Sequence, residues 1–252
     1  MQIDLSHVIV SGGASGLGAA AARHLARLGA RVAILDFNED LARGVAEDIG
    51  GTAHRVDVRD EASVRAAVDK AAELHGCPRI VVNTAGIADA ARVVNRSGET
   101  SVDLFRRVIE VNLIGSYSVM SHAARHMAAA EPVGGERGVI VNTASVAYED
   151  GQVGQSAYAA SKGGVASMCL PAAREMARQG IRVMAIAPGL FETPMMQGLP
   201  QEVSDQIVAN IPFPARLGAP EEYARLVAHI AENAYLNGTV LRLDGAVRLP
   251  PR

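Results

Sequence analysis

The sequence predicts an α/β fold: one doubly wound parallel sheet of about seven strands with helices on both faces. Three observations predict it. Short β-branched runs alternate with longer Ala-rich stretches along all 252 residues. Such alternation reads as βαβ units, whose right-handed crossovers put helices on both sides of the sheet. Several of the strand runs are apolar without alternation, as strands buried on both faces are. Hydrophobic residues make up 49% of the chain but aromatics only 4%, with no Trp. The core is therefore built from Ala, Val, Leu and Ile, which suits helices packed on a buried sheet. No Pro-, Gly- or Ser-rich linker and no internal repeat divides the chain, so residues 1–252 read as a single domain.

The first strand, 7–11, runs into Ser11-Gly12-Gly13-Ala14-Ser15-Gly16-Leu17-Gly18, which opens a helix at 17–28. Gly12, Gly16 and Gly18 allow a tight turn, close approach to a pyrophosphate and close helix–strand packing. The phosphates would lie at the helix N-terminus, among free N–H groups and the positive end of the dipole. A glycine string alone is a weak signal; its place between a strand and a helix strengthens it. The second strand, 31–35, ends at Asp36, twenty residues beyond Gly16. There a carboxylate accepts hydrogen bonds from ribose hydroxyls and repels a 2′-phosphate. No Arg lies in the glycine loop or just after Asp36, so NAD is favoured over NADP in this Rossmann-type arrangement. The competing role for Asp36 is a cap on the helix at 39–49. Strand 53–56, helix 61–74 and strand 80–83 follow, then helix 102–130, strand 138–142, helix 158–179, strand 182–187, helix 220–232 and strand 240–243. Two irregular segments, 88–100 and 188–214, interrupt the pattern. Both follow strand C-termini, where open α/β sheets bind ligands, and both are expected to serve as substrate loops.

Tyr158 and Lys162 stand at i and i+4 of a predicted helix and so share a face. A phenol with a pKa near 10 is a poor base at neutral pH. A fixed ammonium beside it favours the phenolate and lowers that pKa. Tyr158 could then exchange a proton with a substrate oxygen while hydride moves at the adjacent carbon. Of the 24 basic residues only Lys70 and Lys162 are lysines. A compact ammonium fits beneath a phenol and a ribose where a wide guanidinium does not. Ser145 follows the fifth strand, thirteen residues before Tyr158. Its hydroxyl could orient a substrate oxygen, or it could simply cap a turn. Asn112 sits inside a helical stretch, where Asn is a weak former. It is expected to kink the helix and free a carbonyl for a proton-relaying water.

The charge pattern argues against other classes. Net charge is −3 and no Lys/Arg stripe is present, so nucleic acid is not an expected partner. The two cysteines, Cys77 and Cys169, form no CxxC pair, and a reducing, cytoplasmic setting is expected. No apolar run approaches the roughly 20 residues a membrane helix needs, and no signal peptide is visible. His122 and His126 are spaced i, i+4 but lack an HExxH pattern or a third ligand, so no metal is expected. Met195 and Met196 read as a flexible apolar wall near the substrate.

Taken together, the glycine loop, Asp57-Val58, Asn83-Thr84-Ala85-Gly86, Asn112, Ser145, Tyr158-x3-Lys162 and Pro188-Gly189 resemble the short-chain dehydrogenase/reductase family over nearly the whole chain. The resemblance implies catalytic roles for Asn112, Ser145, Tyr158 and Lys162. It implies cofactor contacts from Gly12, Ser15, Gly16, Leu17, Gly18, Asp36, Asp57, Val58 and Asn83–Gly86. Further contacts are implied from Tyr158, Lys162, Pro188, Gly189, Phe191 and Thr193. Thr84 departs from the second Asn common in the family and is expected to matter little. Residues 143–147, 151–155, 161–164, 186–191, 212–218 and 243–246 resemble, more narrowly, the type II 3-hydroxyacyl-CoA dehydrogenases. That likeness implies NAD as cofactor, a small acyl-CoA or other secondary alcohol or ketone as substrate, a homotetramer, and substrate contacts from Ser145, Gln152 and Tyr158. It also makes 88–100 a candidate CoA contact through Arg92 and Arg96. Alternatives are a 3-oxoacyl carrier protein reductase or hydroxysteroid dehydrogenase and, more remotely, a non-catalytic NAD-binding regulator.

Overall fold

A computed structural model describes residues 1–194 and 208–251. Seven strands form one sheet in the order β3-β2-β1-β4-β5-β6-β7. They are β1 (His7–Ser11), β2 (Arg31–Asp36), β3 (Thr52–Arg55), β4 (Pro78–Asn83), β5 (Gly138–Thr143), β6 (Ile181–Pro188) and β7 (Val240–Leu243), and every neighbouring pair is parallel. The α-helices lying wholly within the described residues are α1 (Gly16–Arg27), α2 (Glu39–Ile49), α3 (Glu61–His75), α4 (Val102–Ile109), α5 (Gly115–Ala129), α6 (Ser156–Met176) and α7 (Pro220–Glu232).

The expected fold class is the observed one, and the packing explains its sequence signature. Every residue of β5 and β6 is buried, which is why the apolar residues of these strands do not alternate with polar ones. Residues of α1, α2 and α7 bury against one face of the sheet. Residues of α3, α5 and α6 bury against the other. Among the described residues no helix is long and apolar enough to cross a membrane.

One expected element divides. The predicted helix over 102–130 is α4, a π-helical turn Glu110–Ile114, and α5. Close packing accompanies the wide turn: a Cβ on Gly115 would lie 2.7 Å from Cγ2 of Val58, so the helix runs hard against the loop after β3. π-turns of this kind insert a residue into a helix and redirect the side chains around it.

The order in which the strands are laid down reverses between β1 and β4, although all run parallel. At such a switch point adjacent crossovers run to opposite faces and leave a crevice above the strand ends. A cavity of about 760 Å³ lies there, lined from Gly12 after β1, Asp36 at the end of β2, Thr84–Gly86 after β4, Ser145 after β5 and Pro188 at the end of β6.

Candidate active site

The floor of the cavity is the glycine loop. Gly12 has φ +71°, and a Cβ there would lie 2.4 Å from the backbone nitrogen of Ala85. Gly18 would carry a Cβ 2.2 Å from the Gly12 carbonyl, so any larger residue would push α1 off the loop. Thr84 reinforces the contact: its hydroxyl donates to the Ser11 carbonyl at 2.6 Å and to that of Gly12 at 3.2 Å. At the start of α1, Ser15 makes no side-chain cap bond and the first turn holds no acidic residue. The positive helix end therefore faces the cavity unneutralised, a ready anion site.

Asp36 lies at one end of this floor. Its Oδ2 accepts from the Ala14 N–H at 3.0 Å and its Oδ1 from the Asn38 N–H at 2.9 Å. The capping alternative fails, because Asn38 caps α2 by accepting from the Leu41 N–H. Sequence reading placed no arginine here, yet Arg59 lines the same end of the cavity. Its guanidinium is spent on Asp57, with Nε to Oδ1 at 2.9 Å and an Nη2 to Oδ2 at 2.6 Å. That pairing holds the Asp57 carboxyl below its usual range. A D-x-R spacing was the available signal. A neutralised guanidinium leaves the argument from Asp36 intact.

Cofactor fit follows from these contacts. The loop glycines leave room that a Cβ would fill, the helix end attracts anionic oxygens, and Asp36 presents an acceptor. Gly12, Ser15, Gly16, Leu17, Gly18, Asp36, Asp57, Val58, Thr84, Ala85, Gly86, Pro188, Gly189, Phe191 and Thr193 all line the cavity. Asn83 does not. It is 1% exposed and bonded inward: its Nδ2 donates to Asn142 Oδ1 at 2.8 Å and to the Ser116 carbonyl at 3.2 Å, while Ser11 Oγ donates to its Oδ1 at 3.1 Å. Asn83 ties β1, β4, β5 and α5 together beneath the cavity.

Ser145, Tyr158 and Lys162 meet on the cavity wall. Ser145 lines the wall, and its Oγ accepts from the Ala147 N–H at 3.2 Å, which is the turn cap offered as its alternative role. The Lys162 ammonium is 5.9 Å from the centre of the Tyr158 ring. It donates to the Thr143 carbonyl at 2.7 Å. Burial brings Lys162 down to about 8, so its charge is largely retained at neutral pH. The Tyr158 phenol departs from expectation. Burial pushes it above its ordinary value, and a hydrogen bond with Ser145 only partly offsets that. Desolvation dominates because the buried phenolate would lose its water.

Asn112 also departs from expectation. The helix does deform there, but the carbonyl accepts from Ser116 Oγ at 2.7 Å instead of standing free. Asn112 is fully buried and lies behind the wall. Its Oδ1 accepts from the Ile87 N–H at 2.8 Å, and its Nδ2 donates to the Ile87 carbonyl at 2.9 Å and to Ser161 Oγ at 3.0 Å. Ser161, not singled out from sequence, donates in turn to the Tyr158 carbonyl at 2.7 Å. This chain joins the proposed proton-transfer helix to the loop after β4.

The remaining expectations divide. Gln152 lines the cavity, but its Nε2 donates to the Pro250 carbonyl at 3.0 Å. The 88–100 segment contributes Ala88 and Asp89 to the wall, while Arg92 and Arg96 stand exposed outside it. His122 and His126 face carboxylates on α3, 3.5 Å from Glu61 and 2.6 Å from Asp69. Met195 and Met196, and part of 188–214, lie outside the described residues.

Comparison with known proteins agrees with this geometry. Residues 12–247 match a family model described as enoyl-(acyl carrier protein) reductase. The chain is 48% identical to a Bos taurus protein named 3-hydroxyacyl-CoA dehydrogenase type-2, over 96% of this chain and 95% of that one. It is 42% identical to a cis-4-hydroxycyclohexanecarboxylate dehydrogenase of Sinomonas cyclohexanicum, over 94% of each. A crystal structure of 3-hydroxyacyl-CoA dehydrogenase type-2 from Mycobacterium avium superposes with a TM-score of 0.93 at 42% identity, covering 98% of this chain and 97% of that one.

Proposed function

The chain belongs to the short-chain dehydrogenase/reductase family and is an oxidoreductase, and from that premise we propose that it interconverts 3-hydroxyacyl-CoA and 3-oxoacyl-CoA with NAD. One observation carries the reading: a buried, still cationic Lys162 held against the face of Tyr158 at the switch-point cavity. Relatives bearing this activity in their names at 48% identity support the substrate class.

NAD bound along the glycine loop would supply the hydride acceptor. The residues of the chain do the rest. Ser145 holds the substrate oxygen by a hydrogen bond. In reduction the Tyr158 phenol gives its proton to the substrate carbonyl oxygen and becomes the phenolate; in oxidation that phenolate takes the hydroxyl proton and returns to the phenol. The Lys162 charge stabilises the phenolate that forms during that exchange, and the Thr143 carbonyl keeps the ammonium in place. Asn112 acts at one remove, through Ser161 and the Ile87 backbone. Asp36 accepts from the adenosine ribose and disfavours a 2′-phosphate. A homotetramer is part of the same reading, supported by exposed Phe105 and Tyr117 on α4 and α5; light scattering measures it directly.

The test is NADH formation from 3-hydroxybutyryl-CoA, run beside steroids and simple secondary alcohols. Turnover of those alcohols with none of the thioester would leave the oxidoreductase and remove the acyl-CoA assignment. In the same assay Asp36→Ala raises the NADP-to-NAD ratio of kcat/KM by about tenfold or more, the scale of one lost charge repulsion near 1.4 kcal/mol. An unchanged ratio would remove Asp36 as the discriminating group.

A further inference from the structure

Three segments that contribute to the wall of the cavity meet one another. They come from the loop after β4 (88–91), the loop between β5 and α6 (149–155), and the stretch beyond β7 (248–251). Hydrogen bonds join them into a rim. The Ala91 N–H donates to the Gly154 carbonyl at 2.9 Å, and the Val153 N–H to the Pro251 carbonyl at 3.0 Å. Gln152 Nε2 donates to the Pro250 carbonyl at 3.0 Å.

The stretch 248–251 carries two prolines, which have no N–H to give a ladder or helix. Here both serve as acceptors. Arg242 of β7 fixes its base, donating to Asp244 and Asp150 at 2.7 Å each, to the Val247 carbonyl at 3.2 Å, and to Glu149. One guanidinium thus ties the strand that launches the stretch to the loop on which it lies.

Leu249 of this stretch is half-buried and lines the cavity. The wall can be followed to it from the proton-transfer site. Gln155 lies one helical turn before Tyr158; its Oε1 accepts from the Gln152 N–H at 3.0 Å, and Gln152 holds Pro250. The Gln152 amide is thus given to the backbone, and Leu249 is the apolar side chain that the stretch contributes to the wall.

We infer that residues 248–251 are a strap over the substrate end of the cavity, and that Leu249 limits how much apolar substrate fits beyond the reacting carbon. The inference rests on the dehydrogenase reading above.

The experiment compares kcat/KM for 3-hydroxybutyryl-CoA and 3-hydroxydecanoyl-CoA in the wild type, Leu249→Ala and Leu249→Trp. Leu249→Ala raises the ten-carbon to four-carbon ratio by about tenfold and Leu249→Trp lowers it by a similar factor, the scale of a small volume change in an apolar pocket. NADH affinity stays within about twofold in both, because the adenosine and glycine-loop contacts are distant. An unchanged ratio in both variants overturns the inference, as does a ratio that moves only together with NADH affinity. Should the Trp variant not fold, Leu249→Phe supplies the narrowing arm. If the wild type turns over neither thioester, the substrate reading fails, and the same ratio on four- and ten-carbon secondary alcohols decides the strap.

Discussion

Lys162 and His7 are basic side chains taken almost wholly out of water, 5% and 2% exposed, at opposite ends of one sheet. At the carboxyl ends of the strands, Lys162 donates to the Thr143 carbonyl beside Tyr158. Its burial brings it to about 8, so its charge survives at neutral pH. At the amino ends, His7 Nδ1 donates to the Gly76 carbonyl at 2.7 Å, and Nε2 has no partner among the described residues. The His75 ring lies 5.2 Å away, and the Thr52 hydroxyl bridges His54 and His75 at 3.2 and 3.0 Å. Burial holds His7 at about 4, with His75, Arg31 and His54 pushing the same way. Both groups are desolvated, but the partners differ. Each has a carbonyl acceptor, but a ring face is added to it at one end, while a further cation and two histidines oppose a charge at the other. The carboxyl end is organised to keep a charge, and the amino end to exclude one.

The largest effect expected from this contrast is catalytic. Tyr158→Phe removes one oxygen atom from the carboxyl end and leaves the ring over which Lys162 sits. It should lower kcat by about 10²- to 10⁴-fold, the usual worth of a positioned general acid–base. Thermal stability should be nearly unchanged, since burial raises the cost of ionising that phenol in the folded state. Steady-state kinetics and a melting curve on the same sample measure both. Residual activity within tenfold of the wild type would show that proton transfer runs through another group.

The next effect belongs to the amino end and concerns stability. The folded value of His7, about 4, lies below its ordinary 6.5. The unfolded chain therefore binds the proton first. Stability is full above pH 6.5, falls as pH drops through 6.5 toward 4, and levels off about 3 kcal/mol lower. His54 and His75 are lowered by burial too and act with the same sign. Urea unfolding at pH 7.5 and 4.5 reads the difference. His7→Asn retains a donor for the Gly76 carbonyl and should flatten this acid limb while leaving kcat at pH 7.5 unchanged. An equally steep limb in that variant would assign the proton uptake elsewhere.

Much of this contrast was legible in the sequence, though not its partners. The strand runs and the switch-point cavity follow from apolar periodicity, and Tyr158 and Lys162 from their four-residue spacing, because both are local properties of the chain. Asn83 was misplaced because a polar residue at a strand end looks the same whether it faces a cavity or crosses to the next strand. Its side chain turns to Asn142 on β5, fifty-nine positions away. The π-turn at Asn112 was foreseen only as a kink. Its geometry depends on Gly115 meeting Val58 and on Ser116 taking the freed carbonyl, and both are packing facts. The phenol of Tyr158 was expected to be lowered because sequence spacing supplies the neighbouring charge but not the depth of burial.

Ser161 offers the finest test of the carboxyl-end network. Its hydroxyl accepts from Asn112 Nδ2 and donates to the Tyr158 carbonyl, so it touches no reacting atom and acts by position. Ser161→Ala leaves Asn112 its two bonds to Ile87 and so does not strand a buried amide. What is lost is the link that sets the helix carrying Tyr158 against the loop after β4. A kcat loss of about tenfold is expected, equivalent to roughly 1.4 kcal/mol of transition-state stabilisation. KM for the alcohol and affinity for NADH should change little. Ser161→Thr, which restores a hydroxyl at the same position, should recover most of the lost rate. A purely structural serine would instead lower thermal stability in Ser161→Ala while leaving kcat intact, and that result would confine the functional network to the cavity wall itself.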